Sequence, residues 1–134
     1  MRVAVDKSEI ADSVIQLSEY IGEKGGNYEK VRAIKYDKPL LEKYIMQALT
    51  EVGNVLDRLV VETVANGDEY GLELRGTVCR PVEVEQSIVR YATASVMSHW
   101  LTMVYPEAVP SYEADREREK MELVKLSYYR QMPR

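Results

Sequence analysis

Residues 81–104, PVEVEQSIVRYATASVMSHWLTMV, decide the fold. A proline opens the stretch, where its missing N–H costs a helix nothing. Val84, Ile88, Val89, Tyr91, Ala92, Ala94, Val96, Trp100, Leu101 and Met103 follow, and no Asp, Glu, Lys or Arg occurs between Tyr91 and Met103. At roughly 1.5 to 3 kcal/mol for each large side chain fully buried, a helix over about 82–104 is the largest contributor to the core. Tyr105-Pro106 and Val109-Pro110 end it, and Ser111 then caps a last helix over about 112–129. Acids at positions 113, 115, 117 and 119 suit the positive N-terminal end of that helix, and Lys125 and Arg130 suit its C-terminal end.

Before the central stretch the periodicity changes. Asn66-Gly67 favours a type I′ turn, and a two-residue hairpin built on it spans about 60–75 and pairs Ala65 with Asp68, Thr63 with Tyr70, and Val61 with Leu72. One face of this ribbon is apolar, and the other carries Glu62, Glu69, Gly71 and Glu73. A lone hairpin is marginal in water. It therefore lies on the helices, gains a strand from the Val3–Val5 or Val31–Ile34 regions, or is covered by a neighbouring subunit.

Two helices precede it. Asp6 with Glu9 forms a capping pair and Val5 with Ile10 a staple, so a helix over about 7–21 presents Ile10, Val14, Leu17 and Ile21 before Gly22 and Gly25-Gly26-Asn27 stop it. Residues 28–36 read as a connector or a short extended segment. Asp37 caps a long helix over about 38–59, with Pro39 in its first turn and Leu41, Ile45, Ala48, Val52, Val55, Leu56 and Leu59 on its inner face, widened by Tyr44 and Leu49. Gly53 costs that helix about 1 kcal/mol relative to alanine, which points to close approach of a neighbouring helix there. The expected fold is mainly α, a single domain holding a bundle of about four helices with an inserted β-hairpin.

Composition narrows the function. The chain of 134 residues is long enough to bury a core without staples, and its net charge of −4 gives no electrostatic reason to grip nucleic acid or an anionic membrane. Cys79 and His99 are the only residues of their kinds, so an intrachain disulfide and a thiolate–imidazole zinc site are excluded. No calcium loop, glycine-rich phosphate loop or isolated carboxylate pair appears, and neither metal, cofactor nor catalytic residue is expected. The start MRVAVDKSEI has no apolar leader core, and no later run is apolar enough to span a bilayer, so the chain is expected to be made and kept in a cytoplasm.

His99 reads as a core or interface histidine and Cys79 as a buried thiol. The run from Glu113 to Lys120 reads as a solvated face in which Glu113 meets Arg116 and Glu117 meets Lys120. Ten tyrosines, one tryptophan and no phenylalanine favour surfaces that are wet before assembly and dry after it. Val61, Thr63, Tyr70 and Leu72 of the hairpin, with Tyr112, Tyr128, Tyr129 and Arg130, are the candidate partner-interface residues.

The second half carries a further pattern: Trp100-Leu101, Tyr105-Pro106-Glu107, Tyr112-Glu113, Leu123, Leu126, Tyr128-Tyr129-Arg130 and Pro133. It resembles the C-terminal region of the head–tail connector, or adaptor, proteins of tailed bacteriophages, whose order of elements is also similar over roughly the last hundred residues. The resemblance implies a homo-oligomeric ring, often twelve-fold, docked beneath the portal protein at the capsid vertex and bridging to a downstream neck or tail protein. DNA would pass nearby without sequence-specific binding, and no membrane would be involved. Another virion neck role, in head closure or tail completion, or a cytoplasmic helical adaptor outside any virus, would share this composition.

Overall fold

A computed structural model describes residues 2–25, 37–57, 59–75 and 81–129. Among them the fold is mainly helical. Strand β1 (Arg2–Asp6) leads into helix α1 (Lys7–Gly25). Helix α2 (Lys38–Val55), strands β2 (Val60–Asn66) and β3 (Glu69–Leu74), and helix α3 (Pro81–Val104) follow. A 3-10 turn (Pro106–Ala108) then leads into helix α4 (Val109–Tyr129). Helix α3 packs against α4, α2, α1 and β1, so the stretch with the fewest charges is the hub of the molecule. Its Val84, Ile88, Tyr91, Ala92, Val96, Met97, Trp100 and Leu101 are all buried, together with Ile10 and Val14 of α1 and Leu41, Ile45, Leu49 and Val52 of α2.

Local signals act where the residues place them. Asp6 Oδ1 accepts the Ser8 N–H at 2.9 Å, an N-cap bond that satisfies one orphan donor of α1. Three boundaries differ from the sequence expectation. Helix α1 continues through a buried Gly22 to Gly25, and α2 ends at Val55. The chain turns after Val55 through Leu56, whose carbonyl accepts the N–H groups of Leu59 and Val60, so Leu59 is buried from outside the helix. Helix α4 begins at Val109, because Pro110 in a first turn is as well tolerated as Pro39 is in α2, and Ser111 is already inside it. Asp37 stands at the N-cap of α2 but makes no side-chain cap bond. The connector expected over residues 28–36 and the thiol of Cys79 lie outside the described residues.

The hairpin acquires a third strand, in the order β1-β3-β2, all antiparallel. Val3 stands opposite Leu72 and Val5 opposite Tyr70, closing one face over the helices. The hairpin register is shifted by two residues from the one expected: Tyr70 faces Ala65 and Leu72 faces Thr63. Among the described residues only Gly67 has a positive φ, at 62°. A positive φ at the first central residue alone marks a type II′ turn on Gly67-Asp68, not a type I′ turn on Asn66-Gly67. A slip of two keeps every side chain on its own face, which is why the apolar face was legible while the register was not. The turn is tied down by Lys7, whose N–H donates to the Asp68 carbonyl at 2.7 Å.

Gly53 does face a close neighbour, but a strand residue and not a helix: a Cβ there would lie 3.6 Å from the Tyr70 hydroxyl. That is ordinary contact. Gly53→Ala is expected to raise stability by about 1 kcal/mol through helix propensity, read as a higher urea midpoint at unchanged m-value. A loss of stability would mean that Tyr70 has no room to accept a methyl group beside it.

Candidate functional site

Tyr91, Glu51 and Arg116 form a polar cluster, and each comes from a different helix. Tyr91 sits on the buried face of α3, where its ring has no exposure, and its hydroxyl donates to Glu51 Oε2 on α2. Arg116 on α4 donates from Nη2 to the same oxygen at 2.7 Å and lays its guanidinium 5.7 Å from the Tyr91 ring centroid. A shared carboxylate thus pins three helices together. Burial pushes the Glu51 carboxyl up, but hydrogen bonds from Tyr91 and Arg116 and the nearby positive charge outweigh it and hold the group below its ordinary value. Burial and the Glu51 carboxylate push the Tyr91 hydroxyl up to about 12. Near neutral pH the acid is therefore ionised and the phenol protonated, each held further from a proton-transfer role than in water. The trio does the work of a clamp.

A second charged contact ties α4 to α3 one turn further along the same inner side. Arg90 Nε on α3 donates to both carboxylate oxygens of the buried Glu119 at 3.2 Å, and its Nη2 donates to Ser87 Oγ at 3.2 Å. Tyr112, Arg116, Glu119 and Leu123 follow one another at four-, three- and four-residue steps along the inner side of α4, and Leu123 is fully buried. The acidic and basic run is therefore only partly a solvated face: Arg116 leaves Glu113 for Glu51, and Glu119 turns inward. The spacing 112, 116, 119, 123 was the available signal, and it was hidden because three of the four side chains are polar.

A groove of ≈ 560 Å³ runs between α1 and α4 over α3. Leu17, Val89, Ala94 and the half-buried Tyr112 give it an apolar floor, with Arg90, Asp115, Arg118 and Glu119 at its rim. Burial raises the Tyr112 hydroxyl above its ordinary pKa, with the Asp115 charge adding to it.

The remaining interface candidates separate. Val61 is 59% exposed at a bulge in β2, and Thr63 is exposed on the same strand. Tyr70 and Leu72, beside Val5 and Val3 of β1 in the same sheet, are buried at 7% and 1% exposure, so their apolar surface is covered within their own subunit. Tyr128 and Tyr129 close α4, but their side chains, and Arg130 as a whole, lie outside the described residues. His99 is not in the core: it is exposed between α2 and α3 and stacks on Tyr44 with ring centroids 5.1 Å apart. Among the described residues no group of His, Cys, Asp and Glu could hold a metal ion, and no helix is long and apolar enough to cross a membrane.

No family model, curated protein or solved structure matches this chain.

Proposed function

We propose that this chain is a structural joining protein and, more specifically, a head–tail connector of a tailed bacteriophage virion. In this reading its copies form a ring beneath the portal protein at the capsid vertex and link it to a downstream neck or tail protein around the DNA channel. The protein acts by geometry and not by catalysis. The observation that carries the reading is the surface left open around α4. This helix buries one side, leaves Met121 56% exposed on another, ends in Tyr128-Tyr129, and borders an apolar-floored groove at Tyr112. An outward-facing helix and a groove on the same subunit are two unlike surfaces, which is what a head-to-tail contact that closes into a ring requires. The order of elements, an N-terminal helix, a long helix, a hairpin and two C-terminal helices, supports it, as does the tyrosine-rich pattern running from Trp100 to Arg130.

Negative-stain electron microscopy of the full chain mixed with portal rings tests it. Closed rings of one diameter, stacked on portal, are expected. A chain that neither forms rings nor binds portal overturns the connector role. Replacing Tyr128 and Tyr129 together by alanine is expected to cut ring yield at least tenfold while helical circular dichroism stays at the wild-type level. Full ring yield from that variant would remove the end of α4 from the interface.

A further inference from the structure

Among the described residues only one of the two edges of the sheet is closed. Ala4 of β1 turns its N–H away from β3 and donates it to Glu85 Oε2 of α3 at 2.8 Å, and α3 packs along that strand. Hydrogen bonding alternates along an antiparallel ladder. With Ala4 bonded outward, its opposite number Gly71 turns its own backbone groups toward β2, where Val64 is its partner. Glu62, Val64 and Asn66 thus bond inward, and Thr63 and Ala65 aim their N–H and C=O groups at the open edge. Among the described residues no strand or helix lies along that edge, and Val61, Thr63 and Ala65 are exposed. Open edges are ordinarily blunted by lysine, proline or inward charge. The strand VVETVAN has no lysine and no proline, and its single charge is Glu62.

We propose that β2 pairs antiparallel with β2 of a second copy about a two-fold axis through Thr63, joining two three-stranded sheets into one. Self-complementary side chains favour a second copy as the partner, and charge selects the register. Centred on Thr63, the pairing sets Glu62 across from Val64 of the mate and seats the exposed Val61 opposite Ala65, so the strand is complementary to itself. Centred one residue earlier, it would place two Glu62 carboxylates directly opposite each other, which is destabilising. Centred one residue later, it would leave Val61 without a partner. The backbone groups of Thr63 are exchanged with those of its symmetry mate, in the strand-addition mode of recognition. Such a contact closes at two copies, so it is separate from the ring contact and stands or falls independently of the connector role.

Light scattering of the full chain over about 10 μM to 1 mM, the range where a small interface of this kind associates, is expected to show the mass rising from 15.4 kDa to twice that value. Thr63→Pro removes the outward N–H, which makes no bond within the sheet, and Thr63→Lys sets two positive charges opposite each other at the axis. Both variants are expected to weaken the dimer at least tenfold with wild-type circular dichroism, and added salt is expected to restore part of the Thr63→Lys loss. Hydrogen exchange at the Thr63 amide is expected to slow as concentration rises. A chain that remains at 15.4 kDa throughout, or a natively folded Thr63→Lys variant that dimerises as tightly as wild type, overturns the proposal. Ring formation on portal in the Thr63→Lys variant reports on the connector role alone.

Discussion

Replacing Leu101 by alanine is expected to cost about 2 to 5 kcal/mol of folding stability. Leu101 has no exposure and lies on α3, the helix against which the other three helices and β1 pack. Truncation removes transfer energy and also leaves a cavity that a hub helix, braced on several sides, cannot collapse to fill. Against a total stability of about 5 to 15 kcal/mol for an ordinary domain, that loss is a large fraction. Urea or thermal unfolding measures it, and Met103→Ala on the same helix is the control. Met103 is 51% exposed, so its truncation is expected to change stability by only about 0.5 kcal/mol. If the two variants behaved alike, α3 would not be the centre of the core.

The second large effect concerns how α4 is held. Arg116→Met is expected to cost about 1 to 2 kcal/mol. Breaking a fully buried ion pair costs more, but the side chains of Arg116 and Glu51 are 29% and 38% exposed, so solvent screens part of the interaction. The Glu51 carboxyl lies below its ordinary value of 4.5 in the folded protein. Its contribution is therefore complete above that value and is lost as pH falls through the lower folded pKa. Wild type is expected to lose stability over that acid range, and Glu51→Gln is expected to lose the part of the slope that belongs to this group. A double-mutant cycle between Glu51→Gln and Arg116→Met is expected to give a coupling of about 1 kcal/mol. Coupling below about 0.3 kcal/mol, with an unchanged acid limb, would show that α4 is held by Leu123 and its apolar neighbours alone.

The clamp also explains why the candidate site was harder to see than the fold. Tyr91 is separated from Glu51 by 40 residues, and Arg116 from Glu51 by 65. In the sequence Tyr91 is one more apolar position in a charge-poor helix, and Arg116 one more charge in a mixed run. Each residue was consistent with a bland local role, and only the packing of three helices made them partners. The same holds for His99, whose apolar neighbours in sequence suggested burial although it occupies the one outward position between Ser98 and Trp100.

Helices and their inner faces were determined by the sequence itself. The Asp6 cap, prolines in first turns and the four-residue recurrence of Ile10 and Val14 and of Ile45 and Leu49 act within a few residues, so they are written locally. The tertiary structure decided what such signals do not encode: that β1 joins the hairpin beside Tyr70 and Leu72, that the register settles on a Gly67-Asp68 turn, and that Arg116 leaves its own helix for Glu51. Those outcomes depend on which surfaces meet across tens of residues. A strand that can slip by two without moving a side chain to the other face, or a charge with several partners within reach, is settled only by the shape of what packs beside it.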